Sequence, residues 1–108
     1  RAVWQRDQGQ CAACGRDTLA LRHRLQAART SERERLYSEL VREGYDRHRL
    51  DRFVLWDMDH IQPVIEGGGG TGLRNLQTLC VPCHKQKTAA MQRRRRAEQQ
   101  GLQDLFGE

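Results

Sequence analysis

Apolar residues in this chain fall in short stripes separated by charged stretches. Leu21, Leu25 and Ala28 recur at helical spacing, and Thr18 reads as the N-cap of a helix running to about Arg29. Ser31 and Glu34 form a capping-box pattern ahead of a second helix. Its apolar face is Leu36, Tyr37, Leu40 and Val41, and Gly44 is its stop. A short helix over Ala2 to Arg6 leads into a turn at Asp7-Gln8-Gly9. Arg52 to Asp57, with Phe53, Val54, Leu55 and Trp56, is expected as a strand, and Ile61 to Ile65 as its partner or extension. Pro63 is expected where no ladder donor is needed. Gly67 to Gly72 excludes regular structure and reads as a mobile loop. Leu73 to Leu79 is apolar at alternate spacings. From Val81 a helix runs through Lys85 and Met91 to near Gly101, leaving Gly101 to Glu108 as a frayed tail.

At 108 residues the chain is expected as one domain, residues 1–108, with no internal repeat. Its apolar fraction is 37% and its mean hydropathy −0.87, so the core is thin and a metal or disulfides should add stability. No apolar run is long enough to span a membrane and no signal peptide is visible, so no membrane partner is expected. The start at Arg1 rather than Met is expected of a piece of a larger protein. Nineteen Lys and Arg against 14 acids give a net charge of +5, which suits a polyanion, although many cationic domains bind none. Aromatic residues do not interleave with the basic runs. That pattern argues against a base-stacking single-strand platform and favours contact with backbone phosphates.

The candidate chemistry begins with two Cys-x-x-Cys pairs, Cys11/Cys14 and Cys80/Cys83. Gly15 permits the bend that turns the first pair toward one ion. The paired knuckles in basic surroundings favour zinc over two disulfides. The 65 residues between the pairs are no obstacle, because loop closure cost grows slowly with length. Four sulfurs would close the coordination sphere, which makes the zinc structural; the competing ligand set exchanges His84 for one cysteine. His23 and His48 lie in charged helical stretches and read as ordinary polar residues.

His60 differs from them, because it follows Asp59 and precedes a proline and a glycine loop. Phosphodiester hydrolysis needs a base for water and a cation for the phosphate and leaving oxygen. Imidazole titrates near neutral pH and suits the base. Asp59 and His84 supply an oxygen and a nitrogen for a divalent ion. Adjacent strand residues point apart, which places His60 on the nucleophile side and Asp59 on the metal side. Asp57 shares a face with Asp59 and reads as a solvated strand end, with an extra ligand or supporting group as the alternative. Arg74, Lys85 and Lys87 flank these residues and are the nearest candidates for phosphate contact. The run Arg93 to Arg96, of which Arg93 and Arg94 are counted with them, is a solvated helix end, a localisation signal or added charge. Trp4 and Trp56 are expected in the core under the zinc.

Asp59-His60-Ile61-x-Pro63-Val64, Glu66-Gly67-Gly68 and Asn75-Leu76-Gln77-x-Leu79-Cys80-x-x-Cys83-His84-x-x-Lys87, with Cys11-x-x-Cys14-Gly15 before them, resemble the zinc-bearing HNH endonucleases. The stretch from Trp56 to Thr88 looks especially like the HNH domains attached to SNF2-type annealing helicases, and like bacterial relatives. The resemblance covers about half the chain. It implies an α+β fold of the ββα-metal (His-Me finger) type. It makes His60 the general base, Asn75 the residue that holds the catalytic loop, and His84 with Asp59 the ligands of a catalytic ion, Mg²⁺ or Mn²⁺. The implied activity is metal-dependent DNA cleavage leaving 5′-phosphate and 3′-hydroxyl ends. The setting would be intracellular: cytoplasmic in a bacterium, nuclear in a eukaryote. Residues 16–51 lie outside the shared motif and read as an inserted helical pair, structural or substrate-shaping; residues 88–108 read as a basic helix and tail. A zinc-stapled DNA-binding module without catalysis is the first rival reading, and a structural interaction domain the second.

Overall fold

The computed structural model describes residues 2–62 and 72–106, with side chains through residue 102. Pro63, the expected strand up to Ile65 and the glycine run up to residue 71 lie outside the described residues.

Asp17, not Thr18, caps the first long helix. Its carboxylate accepts from the Ala20 amide at 2.9 Å, and α2 spans Thr18–Ala27. Thr18 is buried one position inside, where its hydroxyl donates to the Gly9 carbonyl and accepts from the Trp4 indole at 3.0 Å. That contact seats α1 (Ala2–Arg6) against α2. Helix α3 spans Thr30–Glu43, and the expected capping box does not form: Arg29 is the N-cap, without a side-chain bond. Glu34 instead pairs with Arg47, at 2.7 Å. Gly44 ends α3 at φ 117°, a left-handed position where a Cβ would also meet Pro82 at 3.3 Å.

A short α4, Arg47–Asp51, follows, so the expected helical pair within residues 16–51 is three helices. The expected strand moves as well. Phe53 N donates to Leu50 O at 3.0 Å and Val54 N to Arg49 O at 2.9 Å, and Phe53 takes φ 56°. Those amides serve the end of α4, so β1 starts late, at Trp56–His60. Its antiparallel partner is β2, Leu76–Cys80; of the partner expected over residues 61–65, Ile61 and Gln62 are not in a strand and the rest lies outside the described residues. The register pairs Trp56 with Cys80, Asp57 with Leu79, Met58 with Thr78, Asp59 with Gln77 and His60 with Leu76. A 3-10 turn, Gly72–Asn75, leads into β2. Helix α5 spans Val81–Phe106 and passes Gly101 without a break, so the expected tail is helical up to Phe106. The outer edge of β2 is covered by the N-terminal segment: Thr78 N donates to Asp7 Oδ2 at 3.0 Å, and Ala12 N to Thr78 O at 2.9 Å.

Residues of the helical segment dominate the apolar core. Leu21, Leu25, Ala28, Leu36, Tyr37, Leu40, Tyr45 and Leu50 pack with Leu55, Leu79 and Val81 and with two cysteines, Cys11 and Cys80. Val41, expected on the buried face of α3, is 45% exposed. Trp4 and Trp56 are half-buried and stack on each other, centroids 6.1 Å apart, instead of entering the core. From Gln92 to Leu102 every residue of α5 is exposed, so the helix outruns the body it packs against.

Leu25 and Leu50 are both fully buried in the core. Leu25→Ala or Leu50→Ala should therefore cost about 2–5 kcal/mol. Val41→Ala should stay within about 0.5 kcal/mol. Denaturant unfolding of the zinc-loaded chain measures all three, and equal costs at Leu25 and Val41 would contradict the core described here.

Candidate functional site

The first pair of cysteines lies on a tight turn. Cys11 N donates to Arg16 O and Gly15 N to Cys11 O, both at 2.9 Å, and Gly15 closes the turn at φ 80°. Cys80 is the last residue of β2 and Cys83 lies in the first turn of α5. The four sulfurs lie within 4.8 Å of one another. Cys14 Sγ and Cys80 Sγ are 3.7 Å apart. A tetrahedron with Zn–S bonds of about 2.3 Å has an edge of about 3.8 Å. The donor set therefore fits a closed, structural zinc site. His84 turns away from it, so the ligand set with His84 in place of a cysteine is not the one assembled.

The thiols are not equivalent. Burial pushes Cys80 and Cys83 upward, and Cys83 is raised further by the neighbouring sulfurs. Burial opposes ionisation at Cys11 too, but the backbone amides of Cys14, Cys80 and Ala13 outweigh it and draw that thiol down.

A second cluster forms where the first two turns of α5 meet β1. Alternation along the strand puts Asp57 and Asp59 on the face toward α5 and His60 on the other. Asp59 is buried, 7% exposed, and its two oxygens have different neighbours. Oδ2 accepts from Gln77 Nε2 at 2.8 Å and from the Lys87 ammonium. Oδ1 faces His84 Nε2 at 3.7 Å. Lys87 also donates to the His60 carbonyl at 2.7 Å. His84 Nδ1 meets Asp57 Oδ2 at 3.0 Å, and Arg49 grips both Asp57 oxygens, at 2.8 and 3.0 Å. Burial would raise the Asp57 carboxyl, but the Arg49 fork, with His84, holds it below the ordinary carboxylate range.

Asn75 is buried beside the end of β1. Its side chain accepts from Gln62 N at 2.8 Å and donates to Gln62 O at 2.9 Å, while its own carbonyl accepts from Ile61 N at 2.8 Å. Arg6 braces the same turn from outside, donating to Leu73 O and Leu76 O at 2.7 Å each.

The structure thus joins Asp59 to His84, and Asn75 to the chain just after His60. Among the cations expected to meet phosphate, Arg74 is exposed on the 3-10 turn and Arg93 and Arg94 lie on the exposed part of α5. Lys85 is paired with Asp46, and Lys87 is drawn onto Asp59. Arg49 went unrecognised in the sequence, because it sits in a run of charge with no period to mark it. The one available signal was the shared strand face of Asp57 and Asp59.

A sequence model described as "HNH endonuclease" matches residues 46–90. The DNA annealing helicase and endonuclease ZRANB3 of Mus musculus is 36% identical over 100 residues, 86% of this chain and 9% of that protein. Its counterpart in Homo sapiens is 34% identical over the same shares. The chain therefore spans less than a tenth of these curated relatives. The crystal structure of the human ZRANB3 HNH domain superposes with a TM-score of 0.65 at 34% identity, covering 87% of this chain and 91% of that one.

Zinc binding requires thiolates. Cys80 and Cys83, raised above the ordinary thiol value, are protonated at neutral pH in the metal-free cluster and lose protons on binding. Apparent zinc affinity should therefore rise steeply with pH, by about a hundredfold between pH 7 and 8 if both protons are released. Competition against a chromophoric chelator of known pH dependence measures this, and a flat profile would contradict it.

Proposed function

The chain belongs to the HNH endonuclease family, and from that premise we propose that it is a metal-dependent DNA endonuclease domain, the nuclease module of a larger DNA-processing protein inside the cell. The observation that carries the reading is the Asp59–His84 pair. A carboxylate oxygen and an imidazole nitrogen face each other at 3.7 Å, next to a loop clasped by Asn75. That separation is too long for a hydrogen bond. One small cation about 2.1 Å from each would need them only somewhat closer, about 3.0 Å apart at adjacent octahedral positions. Asp59 and His84 would hold Mg²⁺ or Mn²⁺. Bound there, the ion supplies the charge that polarises the phosphate and stabilises the leaving 3′ oxygen.

The chain's own residues do the rest. His60 takes the proton of the attacking water. Its place at the last position of β1 lets a DNA backbone lying across the strand end meet His60 on one face and Asp59 on the other. Asn75 holds Ile61 and Gln62, so the backbone that carries His60 keeps its course as DNA binds. Attack of water with departure of the 3′ oxygen leaves 5′-phosphate and 3′-hydroxyl ends. Zinc on Cys11, Cys14, Cys80 and Cys83 is structural, with no position left for substrate. Arg74, Lys85, Lys87, Arg93 and Arg94 are the candidate cations for the DNA backbone, and Lys85 and Lys87 reach it only by releasing Asp46 and Asp59. The names of the relatives, annealing helicase and endonuclease, support DNA as the substrate.

Nicking of supercoiled plasmid with Mg²⁺ or Mn²⁺, beside a gel shift without added divalent ion, tests the proposal; a shift without cleavage selects the binding module instead. His60→Ala should slow cleavage by about a hundredfold or more while zinc content, fold and DNA affinity stay close to the parent's. A His60→Ala chain that cut at the parent rate would rule the base out. DNA affinity should also fall steeply with salt, because neutralised phosphates release counterions. Affinity unchanged from low to physiological salt would contradict phosphate contact.

A further inference from the structure

Arg49 belongs to α4, inside the helical segment, yet its side chain ends at the second cluster. Its guanidinium donates to both oxygens of Asp57, at 2.8 and 3.0 Å, and to the Trp56 carbonyl at 3.1 Å. Both partners are mostly shielded: the side chains of Arg49 and Asp57 are 21% and 24% exposed. A bidentate fork in that setting orients a carboxylate far better than a solvated ion pair does. Arg49 is itself fixed, because α4 is tied to α3 by Arg47 on Glu34 and by the Tyr37 hydroxyl donating to Leu50 O at 3.0 Å.

What Asp57 then touches is the ring of His84. A carboxylate only accepts, so the 3.0 Å contact of Oδ2 with Nδ1 requires the hydrogen on Nδ1. A neutral imidazole carries one ring hydrogen, so Nε2 is left with its lone pair, and Nε2 is the nitrogen that faces Asp59. We propose that Asp57, clamped by Arg49, is a positioning residue that fixes the orientation and tautomer of His84, keeping Nε2 a free donor for the divalent ion. The helical segment thereby gains a part in the chemistry, through one arginine. The proposal rests on the reading of Asp59 and His84 as the ion's ligands.

Asp57→Asn gives the sharpest test. The substituted side chain has one oxygen, which the charged Arg49 fork claims, and its amide NH₂ then faces His84. A donor there favours the opposite tautomer, with hydrogen on Nε2. The imidazole ¹⁵N shifts of His84, recorded on the full zinc-loaded chain without other metal, should show Nδ1–H in the parent and Nε2–H in Asp57→Asn. Mn²⁺ affinity, followed by electron paramagnetic resonance, should drop by about tenfold to a hundredfold in the variant. Zinc content should not change. A parent His84 with its hydrogen on Nε2 would overturn the proposal, and so would an Asp57→Asn chain with the parent's ¹⁵N pattern and Mn²⁺ affinity. The parent spectrum needs no variant, so it decides the matter even if Asp57→Asn does not fold. His84→Ala separates the two layers: if it bound Mn²⁺ as the parent does, the ion-site reading would fail, while the parent's own His84 ¹⁵N pattern would still report whether Asp57 sets the ring.

Discussion

The meeting of four sulfurs governs the rest of this structure. Cys11 and Cys14 come from a turn held to the outer edge of β2, while Cys80 ends that strand and Cys83 lies in the first turn of α5. An ion held by all four sets the angle at which α5 leaves the sheet. His84 follows Cys83, and Lys87 is one turn further on, so that angle decides whether they reach Asp57 and Asp59 on β1. The sulfur cluster takes no substrate, yet it controls the distances in the second cluster through one turn of helix. This coupling also explains why metal binding and folding should be a single event: without the ion, four thiols stand side by side, Cys80 and Cys83 pushed up by burial and Cys11 drawn down by backbone amides.

The sulfurs are not sufficient alone. A two-stranded sheet has little independent stability, and the strands contribute few fully buried apolar residues. The helical segment supplies the missing surface, with α2 and α3 closing over Leu55, Leu79 and Val81. The same segment carries Arg49 to the Asp57 carboxylate. Stability and site geometry thus draw on one element, and a disturbance of α4 would be felt at both.

Features with a strong local cause were legible in the sequence. The paired cysteines, the apolar stripe of α2 and the Gly44 stop each rest on a spacing or a conformational need that no distant contact overrides. The α+β architecture and the meeting of Asp59 with His84 followed from the motif. The strand boundary was not legible: Phe53 and Val54 have strand-forming side chains, but their amides are taken by carbonyls of α4. The capping box failed for a similar reason, since Glu34 finds a better partner in Arg47 than in its own backbone. The contact of Lys87 with Asp59 was not legible, because a lysine's reach is set by the helix that carries it and not by its neighbours in sequence.

The charges around Asp59 and Asp57 show how two carboxylates one residue apart on a strand face are kept from acting alike. Asp57 is matched by Arg49 and meets the ring of His84, which on the proposal above leaves it to orient that ring and not to gather a cation. Asp59 is divided between its oxygens. Oδ2 is held by Gln77 and the Lys87 ammonium, which fix the plane of the group, and Oδ1 is turned toward His84. Lys87 neutralises a buried carboxylate that would otherwise be costly to hold ionised. On the reading proposed here, a divalent ion at Oδ1 then joins a carboxylate already partly compensated, which lowers its affinity in the absence of DNA. A phosphate brought alongside would supply the negative charge that restores the balance for Lys87 and the ion together. On that reading the arrangement would favour assembly of the ion site on the nucleic acid over its assembly in the free domain.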